Sequence, residues 1–558
     1  MTLAVLALFA VVLFGLPLGL LARVGLTDGA VPSLAPLIEA LGKSSVQKAA
    51  WNSLESSALS GLAATVIGSV LALVVGLSDV RAKGPLVFAL LLPMMIPPQV
   101  TAIAWVQALG PSSVVLGTLG IAPPPGSPHP LYTPFGVMLL LTVQHMPLVL
   151  LVVLAALRSL PREIVEAARI AGARPARMIR RVILPLLAPS LVAGFMLAFV
   201  SALGNFGILA ILGIPARYTT LPVLIWRRLS SFGPSVLTDV AVISILLAAV
   251  ALVAVTLSIR LQKRMRAAVV GPPQPPLRIA LGRARPVVEA GLLAYVAATL
   301  VLPLTALTAT ALVRTYGLPL SADTVTLDNF AEILFRQAST VRAFANSTLA
   351  AGAAAFVLAG LSIATGYFLS DRRSRLGRQA GGTLQALADV SYAIPGLVIS
   401  IAFILAFIRP LPLLNLSIYN TLTIIFLAYL TAFLSVALKP VAAAYGQLDP
   451  SLDEAARVSG AGFARRMWRI FAPLTAPAAA SGAILVFLTA YNEVTVSALL
   501  WSTGNETIGT SIFNYEDGGY TTLAAALSCV TVLATTVLMV ALDRFGRRLP
   551  PGVVPWRT

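Results

Sequence analysis

Apolar runs close to the roughly 20 residues that cross a bilayer recur along this chain at 2–22, 50–77, 85–109, 134–157, 186–212, 237–259, 288–313, 346–370, 383–408, 420–438, 474–500 and 520–542. Short polar stretches separate them. The pattern predicts an all-α membrane protein with about twelve transmembrane helices in two sets of six. The first run has no basic n-region and no clear small-x-small site, so it reads as a retained helix. Between the sets lies a basic, proline-rich stretch with no hydrophobic periodicity, containing Gln262-Lys-Arg-Met-Arg266, Gly271-Pro-Pro-Gln-Pro-Pro276 and Arg283-Ala-Arg285. It reads as a linker at 261–287, joining a first unit at 1–260 to a second at 288–558.

The second set repeats the plan of the first. A basic turn follows the second span in each (Ser78–Gly84; Asp371–Arg378). A proline interrupts the third: Leu92-Pro-Met-Met-Ile-Pro-Pro-Gln99 in one set and Ala393-Ile-Pro-Gly396 in the other. The first of these is consistent with a kinked helix beside a pathway and equally with a helix that starts after Pro98. After the fourth span comes a polar loop that the chain states twice, Glu166-Ala-Ala-Arg-Ile-Ala-Gly172 and Glu454-Ala-Ala-Arg-Val-Ser-Gly460. At the fixed offset of 288, 14 of the 29 positions from 166 to 194 are identical. Internal duplication follows.

Each loop predicts a short helix. Asp449-Pro450 offers a cap and a first-turn proline, and Asp453 and Glu454 suit the positive end of a helix dipole. In the first copy Pro161, Glu163 and Glu166 serve similarly, with Ser159 a candidate cap. Ala167-Ala168 and Ala455-Ala456 leave a slim face for close packing. Gly172 and Gly460 suit a left-handed stop. The rival reading, an interfacial helix held to lipid headgroups by arginines, leaves the recurrence of the same loop at equivalent places without a reason.

Composition adds the membrane and the orientation. The chain is 58% hydrophobic and 11% charged, against about 25% charged in soluble domains. Its net charge of +18 raises the question of nucleic acid, but the distribution gives a different answer. With a cytoplasmic N-terminus, the inner loops and tail hold 29 of the 39 Lys+Arg. The positive-inside rule then puts both termini and both repeated loops in the cytoplasm. Halves sharing one orientation are related by a pseudo-two-fold axis along the membrane normal, with substrate sites near their interface. One cysteine, Cys529, excludes an intramolecular disulfide, and with two histidines no His/Cys metal site is expected.

Polar residues inside a span usually face the bundle or water. The fifth spans read Ser201-Ala-Leu-Gly-Asn205 and Thr489-Ala-Tyr-Asn-Glu493, with Asn205 and Glu493 again 288 apart. Ser201, Asn205, Tyr491, Asn492 and Glu493 are therefore candidates for a translocation pathway, the alternative being helix packing. Gln144 and His145 suit packing, and Asp389 suits a partner arginine at the cytoplasmic face. No catalytic site is legible. Gly42-Lys-Ser-Ser45 mimics the end of a phosphate loop but lacks its glycine, having Leu37.

The pattern Glu-Ala-Ala, three residues, Gly, nine residues, a hydrophobic, one residue, Leu-Pro resembles that of permease subunits of type I ABC importers. The first copy matches through Val182 and Leu184-Pro185; the second has Ile470 but Ala472-Pro473. The resemblance covers the chain as two fused six-helix permease units. It implies that Glu166, Ala167, Ala168 and Gly172, and Glu454, Ala455, Ala456 and Gly460, dock onto two copies of a cytoplasmic ATP-binding subunit. ATP and Mg would be bound there, with no cofactor in this chain and no ATP hydrolysis by it. It further implies a periplasmic binding protein that delivers cargo to outer loops near 213–236 and 501–519, and a place in the bacterial inner membrane. The fused layout, with Gly204–Gly213, Glu493–Trp501 and Thr507–Phe513, resembles the ferric-iron branch; thiamine, phosphonate and polyamine permeases stand nearby. A secondary transporter of the major facilitator kind is the rival. Its signature would lie at Gly366–Arg375, but the Gly-to-Asp spacing there is one residue too long and Ser374 replaces a glycine.

Overall fold

The computed structural model describes residues 2–28, 31–158, 160, 162–231, 233, 235–265, 279–370, 375–410, 415–546, 548 and 553. Among them, 11 helices are long and apolar enough to cross a membrane, or 12 if a bent pair counts as one span. The first half supplies Ala4–Gly25, Ser44–Leu77, Pro98–Thr118, Pro134–Arg158, Pro175–Leu203 and Val236–Met265. The second supplies Gly282–Ala311, Ala338–Ser370, the bent pair Arg375–Ala393 and Gly396–Phe407, Leu422–Gly446, Phe463–Tyr491 and Thr521–Gly546. The sixth span runs on to Met265, past the boundary at 260. The middle of the linker (266–278), the basic turn at 371–374, and the candidate cap residues Ser159 and Pro161 lie outside the described residues.

Both third spans are broken. Lys83–Met95 stops before Ile96-Pro97, and the crossing helix starts at Pro98. Its counterpart Arg375–Ala393 stops before Ile394-Pro395 and turns through 114° into Gly396–Phe407, where the sequence suggested one continuous run. A proline disfavours helical backbone in the residue before it, so the chain leaves the helix at the isoleucine. The exposed backbone is satisfied by protein, as a membrane interior requires. Gln144 Nε2 donates to the Ile96 carbonyl (3.2 Å), and Thr101 Oγ1 donates to Gln144 Oε1 (2.9 Å). His145 bonds the Leu141 carbonyl one turn back, at 2.8 Å. Both side chains serve packing.

The first and fifth spans of each half contain a single wide, π-type turn. These turns, Val11–Gly15, Ile179–Ile183, Ala297–Val301 and Met467–Phe471, each stand two residues before a proline: Pro17, Pro185, Pro303 and Pro473. Proline lacks an N–H and its ring crowds the carbonyl four residues back. A local widening of the helix accommodates both.

The halves exchange their opening helices. The first span packs on Gly396–Phe407 of the second half, and Thr431 Oγ1 donates to the Leu13 carbonyl (3.1 Å). In return Gly282–Ala311 packs on Pro98–Leu109 of the first half. The residues leading into Gly282–Ala311 are also clamped to the turn after the second span. Ile279 N–H donates to the Leu77 carbonyl (2.6 Å), Leu281 N–H to Asp79 Oδ1 (3.0 Å), and Arg81 N–H to Glu289 Oε1 (2.8 Å). Arg285 bridges Glu289 and Asp79 at 3.0 and 3.8 Å.

Candidate functional site

The repeated loops fold alike from the body of the short helix through its glycine stop. The helices Arg162–Ile170 and Ser451–Val458 each end on their glycine, with φ of +78° at Gly172 and +73° at Gly460. A side chain in that region costs about 1–2 kcal/mol, so glycine is the natural choice. The same pair of capping bonds closes both ends: Gly172 N–H to Arg169 O and Ala173 N–H to Ala168 O, against Gly460 N–H to Arg457 O and Ala461 N–H to Ala456 O, at 2.9 and 3.0 Å in each copy. The helices that follow, Pro175–Met178 and Phe463–Arg466, and the wide turns after them, also begin 288 residues apart. At the start of the second helix Asp449 Oδ1 accepts from Ser451 N–H (2.9 Å), so the helix proper begins one residue later than the proline at 450 suggested. That bond holds the Asp449 carboxyl below its usual range.

Sequence reasoning missed the outer face of these helices. Ala168 and Ala456 turn toward the protein, whereas Ala167, Ala455, Glu163 and Glu454 face out and Glu166 is half-buried. With them stand Ile170, 88% exposed, and Val458, 90% exposed, at the same offset of 288. Ile164 and Leu452 form a second matched pair of exposed aliphatic side chains. A lone isoleucine in a polar loop carries no hydropathy signal. Its recurrence at the repeat offset was the available clue.

The copies are anchored differently. In the second, Asp453 accepts from Arg457 Nε (2.7 Å) and a guanidinium nitrogen of Arg466 (2.9 Å). Arg457 also donates to Tyr367 Oη (3.0 Å), and Arg466 lies over the Tyr367 ring. At the corresponding positions the first copy has Val165 and Met178, the latter buried in the core of its half.

The candidate pathway residues lie where the fifth spans end. Asn205 Oδ1 accepts from Ile208 N–H (3.0 Å), capping the short helix Gly207–Gly213. At the equivalent break Glu493 accepts from Val496 N–H (2.5 Å) and Ser497 N–H (3.1 Å). Asn492 donates to Thr535 in the last span (3.3 Å), Tyr491 stacks on Phe487, and Ser201 sits half-buried one turn before Asn205. Asp389 accepts from Ser435 Oγ (2.7 Å) rather than pairing with an arginine among the described residues.

These two breaks meet at one apolar cluster shared by both halves: Phe206, Ala210, Leu397, Val494, Ala498 and Phe513. Trp226 closes it, with ring centres 6.2 Å from Phe206 and 5.9 Å from Phe513, and Phe206 lies 5.3 Å from Phe513. Two short helices carry the outer aromatics, Leu221–Leu229 and Ile508–Asp517. Both are hung on the second spans by a motif the hydropathy pattern concealed. Ser53 Oγ accepts from Leu221 N–H (2.8 Å) and Ser347 Oγ from Ile508 N–H (2.9 Å). The neighbouring Asn52 and Asn346 donate to carbonyls just before those helices.

Close to the cluster, in Pro98–Leu109, two glutamines are fully buried. Neither Gln99 nor Gln107 finds a partner for its amide oxygen or nitrogen among the described residues. An unsatisfied buried polar group costs roughly 1–3 kcal/mol, so these amides are not explained by packing.

The family described as binding-protein-dependent transport system inner membrane component matches residues 64–269 and again residues 357–553. A probable ABC transporter permease protein of Sinorhizobium fredii is 27% identical over 522 residues, covering 91% of this chain and 89% of the relative. A probable molybdenum ABC transporter permease of Haloferax volcanii is 32% identical over 198 residues, 36% of this chain and 70% of its own length. A ferric transport system permease of Actinobacillus pleuropneumoniae is 30% identical over 220 residues, 39% of this chain and 31% of the relative.

Proposed function

The chain belongs to this family of transport inner membrane components as a fused pair of permease units, and we propose that it carries cargo from a periplasmic binding protein into the cytoplasm, driven by ATP hydrolysis in separate subunits. The observation that carries this reading is the twice-built loop with its matched exposed aliphatic residues, Ile170 and Val458. Two apolar side chains held out at one face of a membrane protein, on helices of identical geometry, suit two copies of one partner. The partner is an ATP-binding subunit at each loop. The excess of Lys+Arg on that side puts both loops and both termini in the cytoplasm.

The mechanism follows from rigidity. Each short helix is stopped by a left-handed glycine, and a four-residue turn (171–174; 459–462) joins it to the helix that runs on into the fifth span. A displacement of Glu166–Gly172 or Glu454–Gly460 by closing ATP-binding subunits is therefore transmitted along Pro175–Leu203 and Phe463–Tyr491. Those spans end at Asn205 and Glu493, whose caps fix the segments that meet at Phe206 and Val494. Separation of the halves there opens a pathway outward, and hydrolysis resets it. Ser201, Asn205, Tyr491, Asn492 and Glu493 flank this passage.

The cargo is a metal ion held by oxygen ligands or an oxyanion, with ferric iron first. The fused layout supports iron, and relatives named for ferric, molybdenum and phosphonate transport support the wider class. The test is uptake by vesicles holding the chain with its ATP-binding subunits and binding protein, offered radioactive ferric citrate, molybdate or sulfate. Accumulation of iron alone, dependent on ATP, supports the assignment. ATP-dependent accumulation of another ion instead of iron overturns the iron choice, and uptake of the preferred ion without ATP-binding subunits overturns the importer.

A further inference from the structure

The aromatic cluster between the halves is built largely from equivalent residues. At the offset of 288, Phe206 pairs with Val494, Ala210 with Ala498 and Ile211 with Leu499. The short helices beyond begin 287 apart, at Leu221 and Ile508, so Trp226 pairs with Phe513. The cluster therefore straddles the pseudo-two-fold axis, where two halves that separate must part.

The broken third spans supply the remaining wall. Their crossing helices follow Pro97 and Pro395, which are 298 apart, so Leu397 of the cluster has Gln99 as its counterpart. The seats of the two helix starts lie within one residue of each other. A Cβ on Gly207 would come 2.8 Å from the Gln99 nitrogen and 3.2 Å from its Cβ. In the other half Gly396 rests on Thr495 and Val496, and Thr495 is the counterpart of Gly207. Gln99 thus starts beside Phe206 on one wall as Leu397 does on the other.

Leucine at 397 shows that this seat accepts an apolar side chain. Gln99 nevertheless places an amide there, fully buried, with neither Oε1 nor Nε2 bonded among the described residues. A buried amide so held calls for a partner beyond the described residues. We propose that Gln99 is a specificity-determining residue of the passage, its amide hydrogen-bonding an oxygen-bearing solute as the aromatic cluster parts. This rests on the permease reading above. A neutral amide donates to an oxyanion or to the ligand oxygens of a chelated metal, and repels neither charge.

The experiment uses the chain with its ATP-binding subunits and binding protein in membrane vesicles, with Cys529→Ser removing the native thiol. Gln99→Cys and, separately, Leu397→Cys are exposed to a trimethylammonium methanethiosulfonate. Modification at least tenfold faster with ATP and vanadate than without nucleotide is expected at both positions. Gln99→Leu should keep ATP hydrolysis within about twofold. It should raise the KM for the transported ion, among molybdate, sulfate and ferric citrate, at least fivefold, and Gln99→Asn should restore part of the loss. Unmodified Leu397→Cys in both nucleotide states, in a complex that still hydrolyses ATP, overturns the placement at the passage. An unchanged KM in Gln99→Leu overturns the specificity role. If the wild-type chain binds no ATP-binding subunit, it is the permease reading itself that fails.

Discussion

The two repeated loops share one backbone and differ in what holds it. Both helices end on a left-handed glycine, both present an exposed aliphatic residue 288 apart, and both feed a wide turn before a proline. Yet the second is tied down by Asp453 between Arg457 and Arg466, while the first has valine and methionine at the matching places. The exposed aliphatic positions recur in both copies, whereas the Asp453–Arg466 anchor belongs to the second alone. Under the proposed function a common partner would constrain the outer surface of both copies, whereas each inner surface has only its own half to satisfy.

Changing what the loops share should have the largest effect. Gly172→Ala with Gly460→Ala adds about 1–2 kcal/mol of backbone strain at each site and should lower ATP-driven uptake more than tenfold, with the chain still inserted. Glu166→Ala with Glu454→Ala should uncouple similarly, as read by ATP hydrolysis without uptake. Changing what they do not share should separate them. Asp453→Asn breaks a pair in which Arg466 is nearly buried, for which removal of one partner costs up to roughly 3–5 kcal/mol. Asp453 keeps some exposure, so about 2 kcal/mol is expected. Limited proteolysis should cut faster at the second loop and at an unchanged rate at the first. Equal acceleration at both would remove the distinction.

A smaller and symmetric effect is expected from the exposed aliphatic pair. Ile170→Ser and Val458→Ser should each weaken binding of the ATP-binding subunit by about 1 kcal/mol, a partial loss of the 1.5–3 kcal/mol for burying such a side chain. Titration of the detergent-solubilised complex measures it. The smallest effect belongs to the clamp on the first half. Arg285→Ala should barely change melting, because ion pairs that keep access to solvent contribute little. The Leu281 N–H holds the Asp79 carboxyl below its usual range. Its contribution is therefore complete above the ordinary aspartate value and fades only as pH falls through the depressed one. Between pH 5 and 8 the clamp should not respond.

Much of this organisation was legible in the chain. Run length and composition located the crossings, and the offset of 288 located both loops and the glycines that end them. Hydropathy counts apolar residues without assigning them a side of the helix. It therefore merged Lys83–Met95 with the crossing at Pro98, and Arg375–Ala393 with Gly396–Phe407, although the prolines marked both breaks. It likewise extended the fifth spans past Leu203 and Tyr491, where Asn205 and Glu493 end one helix and cap the next. Ser53 and Ser347 were hidden for another reason. Each bonds a backbone N–H more than 160 residues away, and second spans are offset by 294 rather than 288. Gln99 was concealed in the same way, its counterpart lying at an offset of 298.

The central claim is that both loops receive the stroke of ATP binding, and cross-linking tests it most directly. With Cys529→Ser, Ile170→Cys and Val458→Cys would be paired in turn with single cysteines on the ATP-binding subunit. Disulfide formation to the same subunit position from both loops, followed by loss of ATP-driven uptake and its recovery on reduction, is the predicted result. Cross-linking from one loop alone, or uptake unaffected by either cross-link, would contradict it.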